Sequence, residues 1–575
     1  MQTIRRHQQV QTPWTRSYPA GVRWNTDLSG LSVLDMLDDS VRRWADRPAI
    51  DFMGRNIDYR ELASLIDRAA KGLQDLGVGP GVHVGLYLPN VPQYVITFFA
   101  ILRAGGTVVN YSPLDAGEVL AHKIEDSRTD ILVTLDLNSL YPLMARLLDS
   151  TRLHTLVVGS LGEFGAQPRE IRARLQQEGQ LAQVHYSEQC LPFEQLLDNE
   201  GDWQPHTLPP LDEALAVLQY TGGTTGLPKG AMLTHANLGA AAAQVMMINV
   251  DNDQRLHEGR ESILVVLPLF HVYAMVGCLL FPVAAGAEMR LHTRFDAGAV
   301  LRDIHDNRVS CFPGVPTMFT ALLSHPQVSE YDLRCLKICA SGGAPLPVEL
   351  MQQFKALTGC QITEGWGMTE TCTGGTFTPA ERPQAGSCGV PHIGVDICFL
   401  DLEDPGRKVP PGQNGELAIR GPNIMRGYWN NPQASAESFT HDGYFRTGDV
   451  GYMDADGYIY IVDRTKDMLL CGGFNVYPRV IEEAIYAHPA VEEVMVLGIP
   501  DAYRGQSPKA YVKLRPGHPA FDLDALKDFL KDRLGKHEMV QALEIRADLP
   551  KTAVGKLSKK LLKDEIAAAQ ASAGN

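Results

Sequence analysis

Apolar residues recur at spacings of three and four over residues 59–76, and this period predicts an amphipathic helix. A short apolar run over 82–88 predicts a buried strand. An apolar stretch over 91–104 predicts a second helix, and a further strand begins at Val108. Because buried strands that alternate with helices form parallel sheets covered by helices, we predict an α/β fold with parallel layers in a large N-terminal domain.

The pattern changes after Gly386, where short apolar runs lie between turn residues. The runs at 415–421 and 457–462 predict strands of a β-rich subdomain. Residues 160–212 are polar and weakly patterned, which predicts a connecting excursion. The apolar segment 263–287 is long enough to span a bilayer, but its internal prolines favour a strand, a loop and a helix in a buried core.

Beyond Asp463 the pattern is that of a compact α+β unit. We expect helices at 480–487 and 523–534 and strands at 491–499 and 510–514. The tail after Ile566 is rich in Ala, Gln and Ser and is expected to fray.

The composition narrows the class of protein. A chain of 575 residues exceeds a single core, so two or more domains are expected. The net charge of −15 argues against a nucleic-acid-binding protein. Ten cysteines without pairing or zinc-site spacing, and an N-terminus without the apolar core of a signal peptide, predict a cytoplasmic enzyme with reduced thiols. The sequence leaves open peripheral membrane contact and a homodimer.

Residues 220–230, YTGGTTGLPKG, combine four glycines, three threonines and one lysine. Glycines allow tight turns, and successive backbone N–H groups form a concavity that suits phosphate oxygens. The common nucleotide-hydrolase loop has Ser or Thr after its lysine, whereas Lys229 is followed by Gly230 and a predicted strand. We expect phosphate contacts from Thr221, Gly223, Thr224, Thr225, Gly226 and Lys229.

Further motifs follow in a fixed order: PLFH at 268–271, SGGAP at 341–345, GWGMTE at 365–370, YFRTGD at 444–449, DR at 463–464, GGFNVYP at 472–478 and PKTAVGK at 550–556. With the glycine-rich loop, this series resembles the adenylate-forming (AMP-binding) superfamily, and within it the fatty-acyl-CoA synthetase group of acid–thiol ligases. The resemblance spans most of the chain. It implies a reaction of two steps, in which ATP converts a carboxylic acid into an acyl-adenylate and coenzyme A then displaces AMP.

The resemblance also implies a role for each motif residue in the first step. Glu370 would hold Mg²⁺, which prefers one or two carboxylates together with phosphate oxygens. Thr369 would hydrogen-bond the α-phosphate, and Lys556 would draw the carboxylate and the α-phosphate together. Asp449 would accept hydrogen bonds from the ribose hydroxyls, with Arg464 beside it.

The adenine site implied by the resemblance contains one departure from the family. Trp366 stands where the family usually has Tyr and would stack on the adenine ring. Its neighbour Gly367 belongs to the same motif, and Gly343, Ala344 and Pro345 would offer backbone contacts to the adenine edge.

In the family the C-terminal domain rotates after adenylation, which implies three parts in this chain. These are an AMP-binding domain at 1–463 with a β-rich subdomain at about 386–463, a hinge at 464–467 that contains Lys466, and a mobile lid at 468–575. After rotation, Gly472, Gly473 and Phe474 would form the tunnel for the pantetheine arm, and His271 would gate or line it. Two residues depart from the family: Gly222 replaces Ser or Thr, and Val480 replaces an acidic residue.

The substrate is expected to be a medium- to long-chain fatty acid. Relatives that activate amino acids place an aspartate after the phenylalanine of PLF, whereas this chain has His271 there and no acid before Glu288. A buried ammonium group without a partner is costly, and the apolar segment 272–280 offers a lining for an alkyl chain. The alternatives are an aryl or dicarboxylic acid, transfer to a carrier protein, and a luciferase-type oxygenase.

Overall fold

A computed structural model describes residues 12–221, 228–250, 256–343, 346–471, 474–501, 503–552 and 557–573. It has the predicted α/β fold, with two seven-stranded sheets, a four-stranded antiparallel sheet, a two-stranded pair and a five-stranded sheet near the C-terminus. The α/β prediction is therefore confirmed.

The first seven-stranded sheet carries the glycine-rich loop at its edge. Its strands are parallel except the last, which pairs antiparallel with its neighbour. In spatial order they are Cys190–Pro192, Thr155–Gly159, Thr129–Leu135, His83–Leu86, Thr107–Asn110, Leu215–Thr221 and Lys229–Thr234. Residues 222–228 join the final two strands.

The second seven-stranded sheet is also parallel, apart from an antiparallel pair at one end. Its order is Ile362–Glu364, Ile338–Ser341, Cys311–Gly314, Ser262–Val265, Glu288–Leu291, Pro48–Phe52 and Arg55–Asp58. Several of these strands end next to predicted site motifs.

Helices cover both sheets and contribute one face each to the core. In Tyr59–Asp75, Asp58 accepts a hydrogen bond from the Glu61 N–H at 2.7 Å, and Leu62, Ile66 and Leu73 are fully buried. The other helices before residue 360 are Val33–Trp44, Pro92–Arg103, Gly117–Ser127, Tyr141–Ser150, Pro168–Gln177, Glu194–Leu197, His235–Asn249, Val272–Ala274, Phe281–Ala285, Ala297–Asn307, Pro316–Leu323 and Val348–Thr358.

The expected β-rich subdomain consists of antiparallel strands. The four-stranded sheet contains Asp396–Leu400, Gly415–Arg420, Phe445–Met453 and Ile459–Arg464, and Thr376–Phe377 pairs with Val390–Pro391. The N-terminal residues bind here: the Trp24 indole N–H donates to the Val395 carbonyl at 2.7 Å, and the Tyr18 hydroxyl donates to the Pro391 carbonyl at 2.6 Å. The chain's first described segment is thus fixed to residues about two thirds of the way along it.

The C-terminal unit is a five-stranded sheet with helices on its faces. Its strands are Leu469–Cys471, Phe474–Val476, Val491–Asp501, Gly505–Leu514 and Ala542–Arg546, and its helices are Pro478–Tyr486, Leu523–Leu530 and Lys559–Ala573. The remaining helix, Pro432–Ser438, lies before it in the chain.

Three local expectations differ from the structure. The polar stretch 160–212 contains the helix Pro168–Gln177 and a strand, Cys190–Pro192, that extends the first sheet at its edge, where a proline is tolerated. The helix expected at 523–534 ends at Leu530, whose carbonyl accepts from both Arg533 and Leu534 in a tightening turn. The tail is helical to Ala573 rather than frayed from Ile566.

The apolar segment 263–287 forms the expected strand, loop and helix. The strand Ser262–Val265 is followed by a loop and by a helical stretch from Val272 to Ala285, of which Met275–Leu280 is a π-helix. Across the described ranges, we find no helix with the length and apolar character needed to cross a bilayer. The ten cysteines all lie within the described ranges, and none of them is in a disulfide.

Candidate active site

A cavity of about 670 Å³ brings most of the described site residues together. It lies where the two parallel sheets, the β-rich subdomain and the start of the C-terminal unit meet. The predicted residues that line it are Thr221, Lys229, His271, Gly343, Trp366, Gly367, Thr369, Glu370, Arg464 and Lys466. Phe474 lies in the strand Phe474–Val476. The predicted Gly223, Thr224, Thr225, Gly226, Ala344, Pro345, Gly472, Gly473 and Lys556 lie outside the described residues.

The Asp449 carboxylate stands beside the cavity and is held at both oxygens. Oδ2 accepts a hydrogen bond from the Trp366 indole N–H at 2.7 Å, and Oδ1 lies 3.0 Å from Nε of Arg464. Asp449 and Arg464 are also direct partners in adjacent strands of the four-stranded sheet. Because Asp449 is buried, these charge-assisted bonds fix its carboxylate in one orientation.

The loop that carries Trp366 is tight because its glycines meet other backbone. A Cβ on Gly367 would lie 1.4 Å from the Thr373 carbonyl oxygen, and one on Gly375 would lie 2.5 Å from the Trp366 ring. No side chain fits at either position. The indole is therefore held between the loop and Asp449. Its N–H donates a hydrogen bond to the Asp449 carboxylate, and its ring lines the cavity.

The Glu370 carboxylate is buried in the short 3₁₀ turn Thr369–Thr371. Its Oε1 accepts a hydrogen bond from the Tyr428 hydroxyl at 2.8 Å. Burial raises the pKa of Glu370, and the Tyr428 hydrogen bond acts in the opposite direction. Within the described part of the chain no ion pair neutralises this carboxylate, so its donor chemistry fits a hard divalent cation such as Mg²⁺.

Tyr428 is a site residue that the sequence reasoning missed. Its ring lies under Lys229, whose Nζ is 5.0 Å from the ring centroid, while its hydroxyl reaches Glu370. The backbone of 426–429 pairs with the strand that follows the glycine-rich loop, with hydrogen bonds of 2.8 to 3.0 Å. In the sequence, Tyr428 is marked only as part of the aromatic pair that follows Gly427. An aromatic pair by itself does not indicate a binding or catalytic role.

The apolar part of the cavity is lined by one face of the predicted segment 272–280. Of residues 272–280, only Val272, Tyr273 and Gly277 line it, because Met275, Val276 and Leu279 are buried in the core instead. The Tyr273 hydroxyl donates to the Ala340 carbonyl at 3.0 Å. Further apolar lining comes from Val245, Ile248, Phe281, Pro313 and Ile338. We call this set, with Val272, Tyr273 and Gly277, the apolar arm.

The apolar arm follows the strand Ile338–Ser341 through the second sheet. Gly342 and Gly343 lie beyond the carboxyl end of this strand, and Lys337 lies before its amino end. At about 3.3 Å per residue, the four residues of this strand give the arm a length of about 13 Å. Lys337 is neutralised there by Glu261, whose two oxygens lie 2.8 and 3.0 Å from its Nζ.

His271 and Lys466 both line this cavity. His271 caps the helix that begins at Val272, and its Nδ1 accepts the Tyr273 N–H at 3.3 Å. Lys466 follows the strand Ile459–Arg464, and burial, assisted by the nearby Arg464, lowers the pKa of its ammonium group. Both side chains therefore stand where a bound substrate would pass.

Comparisons with known proteins agree with this arrangement. Residues 37–429 match the family described as AMP-binding enzyme, and residues 480–556 match AMP-binding enzyme C-terminal domain. Over 568 residues the chain is 36% identical to the long-chain-fatty-acid–CoA ligase of Bacillus subtilis (strain 168), and the match covers 97% of this chain and 98% of the relative. It is 34% identical over 561 residues to the long-chain-fatty-acid–CoA ligase of Escherichia coli O6:H1, with 96% and 98% covered.

A solved structure gives the same result for the fold. The crystal structure of the anthranilate CoA ligase AuaEII in complex with anthranoyl-AMP matches with a TM-score of 0.83 and 26% identity, covering 95% of this chain and 99% of that chain. The family match extends over more than half of the chain, and the relatives align over nearly its whole length. This chain therefore belongs to the AMP-binding enzyme family.

Proposed function

We propose that this chain is an AMP-forming acyl-CoA synthetase that activates medium- to long-chain fatty acids with ATP and transfers them to coenzyme A. The observation that carries the proposal is a single cavity with two kinds of wall. One wall presents Lys229, Glu370, Arg464 and Lys466, and the other is the apolar arm. A fatty acid has the same division between a charged end and an apolar chain.

In the first step a carboxylate oxygen bonds to the α-phosphorus of ATP, and the bond from that phosphorus to pyrophosphate breaks. Both reactants are anionic, so the site must supply positive charge where they meet. Lys229 stands at the end of the glycine-rich loop to bind phosphate oxygens, and Lys556 brings its ammonium to the reacting groups. Glu370 would hold Mg²⁺, which neutralises phosphate charge when bound.

The nucleoside is oriented by groups that do not react. Asp449 accepts hydrogen bonds from the ribose hydroxyls, and the Trp366 N–H and Arg464 keep its carboxylate in place for that contact. The Trp366 ring packs against the adenine. Orientation of this kind lowers the barrier because the reacting atoms meet already aligned.

In the second step the thiol of coenzyme A loses its proton and its sulfur bonds to the acyl carbon, while the bond from that carbon to AMP breaks. We assign the hinge to 464–467, with Lys466 within it, and the lid to 468–575. Rotation of the lid withdraws Lys556 and brings residues 472–474 to the cavity, with His271 lining the path of the thiol. Because the thiols of this chain are reduced, we assign it to the cytoplasm.

Two features bear on the class of acid. The apolar arm, about 13 Å long along the strand, is longer than a single ring and favours an alkyl chain. The pairing of Lys337 with Glu261 removes the positive charge that a second carboxylate would need at the far end, which disfavours dicarboxylic acids. An aryl acid remains the second candidate, since the solved structure named above contains an aryl adenylate.

The test is AMP release, dependent on ATP and coenzyme A, across butyrate, octanoate, laurate, palmitate and oleate, with benzoate, anthranilate and adipate as controls. We expect the highest kcat/KM on laurate or a longer alkyl acid. A maximum on an aryl or dicarboxylic acid would contradict the substrate class and leave the chemistry in place. Pyrophosphate exchange without turnover on coenzyme A would instead indicate transfer to a carrier protein.

A further inference from the structure

A largely buried group of charges, in which Lys559 and Glu482 keep some exposure, lies outside the cavity at the start of the last helix. Lys559 is the first residue of Lys559–Ala573, and its Nζ lies 3.0 Å from Oε1 of Glu482. The two side chains are 19% and 14% exposed. The same Glu482 oxygen accepts the Val496 N–H at 2.7 Å, so this carboxylate joins the last helix to the strand Val491–Asp501 of the C-terminal unit.

Asp463 adds a second carboxylate to this group from before the proposed hinge. It is buried and accepts the N–H groups of Arg464 at 2.7 Å and Arg479 at 2.9 Å. Burial raises its pKa, and the charge of Lys559 opposes that rise. Burial disfavours the charge on Lys559, but Glu482 and then Asp463 outweigh it and raise the pKa of this lysine. One cation thus balances carboxylates from both sides of residues 464–467.

Lys559 also stands at the base of the loop that carries the proposed catalytic lysine. The two ends of that loop pair with each other, through a bridge between Lys551 and Leu557 and a 2.9 Å hydrogen bond from the Ser558 N–H to the Pro550 carbonyl. Lys551 is anchored in turn, with its Nζ 2.6 Å from Glu493. Lys559 lies only three residues beyond Lys556.

A contribution to folding stability is a weak explanation for this group of charged side chains. Desolvation of a buried ion pair offsets much of its attraction, and an apolar pair of similar volume often stabilises a fold as well. What an ion pair adds is a defined geometry. Here that geometry fixes the position of Lys559, just beyond residues 552–556, relative to Asp463, the last residue before the proposed hinge.

We propose that Lys559 is a positioning residue for adenylation. Through Glu482 and Asp463 it fixes the position of the segment that bears Lys556 relative to the cavity wall that presents Lys229, Glu370, Arg464 and Lys466. This rests on the proposed function, because it assigns Lys556 to the first step. Lys559 acts through the loop and touches neither substrate. Its loss therefore affects the step that needs Lys556 in the cavity and spares the step from which Lys556 is withdrawn.

The test measures the two half-reactions separately in the full chain. In Lys559→Met, ATP–pyrophosphate exchange with palmitate should fall about tenfold to hundredfold, because small misplacements of a reacting group cost rates of that order. Thioester formation from supplied palmitoyl-adenylate and coenzyme A should stay near the wild-type rate. Lys559→Arg should restore most of the exchange, since the charge and hydrogen bond remain.

The matched control is Lys560→Met, which removes the exposed neighbouring lysine and should leave both half-reactions unchanged. Equal slowing of both half-reactions by Lys559→Met, or an equal effect of Lys560→Met, would overturn the proposal. If Lys559→Met does not fold, Glu482→Gln keeps an acceptor for Val496 and should show the same selective loss at smaller size. Glu482→Gln with wild-type exchange would also overturn it.

A readout independent of turnover is limited trypsin digestion below the unfolding temperature, with fragments identified by mass spectrometry. We expect faster cleavage after Lys551 or Lys556 in Lys559→Met than in Lys560→Met, because the loop base is less constrained. Equal cleavage rates would count against the proposal. If the wild-type chain performs neither half-reaction, the proposed function fails; if it performs both and the variants show no split, only the role of Lys559 fails.

Discussion

The two sides of the candidate active site are held in place by different interactions. On the N-terminal side, Asp449 and Glu370 each receive a hydrogen bond from an aromatic side chain that is packed into the main core. On the C-terminal side, Lys551 and Lys559 form ion pairs in a unit whose hydrophobic residues make two separate, smaller clusters. The first arrangement suits groups that stay in one position through both steps.

The difference matters because the two sides have different tasks. In the proposed mechanism the nucleotide stays on the N-terminal wall through both steps, so rigid packing there has no cost for turnover. The same mechanism requires the lid to hold Lys556 in one step and release it in the next, and interactions outside a large core can be exchanged without unfolding it. We therefore expect substitutions on the N-terminal side to impair nucleotide binding generally, and those on the lid to separate the half-reactions.

The largest effect should come from the lid itself, in Lys556→Ala. Adenylation should fall by about a thousandfold or more, as when a group that stabilises transition-state charge is removed. Thioester formation from supplied acyl-adenylate should be largely retained. Rapid-quench measurement of each half-reaction checks this, and equal losses in both would remove the distinction between the two sides.

The next largest effect should come from Glu370→Gln on the N-terminal wall. We expect about a hundredfold loss of adenylation at low Mg²⁺, partly recovered as Mg²⁺ is raised, because a charged cation ligand is lost while the side-chain shape remains. Pyrophosphate exchange titrated with Mg²⁺ measures it. Glu437→Gln, an exposed glutamate on the nearby helix Pro432–Ser438, is the control, and a similar loss there would refute the assignment.

A smaller effect should come from Tyr428→Phe, which deletes the hydroxyl and keeps the ring under Lys229. A hydrogen bond to a charged group contributes about 1.5–3 kcal/mol, so adenylation should slow by about tenfold or more. Binding of Mn²⁺ in the presence of ATP, followed by electron paramagnetic resonance, should weaken in parallel. Unchanged Mn²⁺ binding would show that Glu370 needs no support from Tyr428.

The smallest effect concerns Glu364, which lines the cavity two residues before Trp366. Burial raises its pKa to about 7, with an opposing hydrogen bond from the Leu346 N–H. The folded state therefore holds a proton that the unfolded state has already lost, and stability falls as pH rises from the ordinary glutamate range to about 7. Above about pH 7 this loss of folding stability is complete.

Replacement of this group should make the effect visible in thermal unfolding. Glu364→Gln should gain stability over the wild type as pH increases, and the difference in Tm should grow between about pH 5 and about pH 8. The exposed Glu381→Gln, on the same cavity, should show no such trend. A difference that shrinks with rising pH would contradict the sign of the shift.

Much of the fold follows from the sequence because its signals are local. The period of 59–76 predicts the helix Tyr59–Asp75 within a residue, and the apolar runs at 82–88 and 263–287 give their strands. The edge strand Cys190–Pro192 was missed because three residues in a polar stretch carry no period. Its pairing depends on a neighbour that the local pattern does not specify.

The site was less predictable, for the same reason. The motifs gave the residues that surround the cavity, but the contacts among them join distant parts of the chain. The Trp366–Asp449 hydrogen bond spans 83 residues, and Tyr428–Glu370 spans 58. Likewise, the face of 272–280 that lines the apolar arm depends on how that helix packs.

The attachment of the first described residues to the β-rich subdomain has a consequence for synthesis. Trp24 and its acceptor Val395 are 371 positions apart, so about 20–70 s of translation separates their emergence from the ribosome. Throughout that interval Tyr18 and Trp24 lack their native hydrogen-bond acceptors at Pro391 and Val395, while the sheets behind them assemble. Nascent chains halted before residue 395 should therefore expose Trp14, Tyr18 and Trp24 to chaperones. Dissociation of the chaperones should mark completion of the cavity wall that holds the nucleotide.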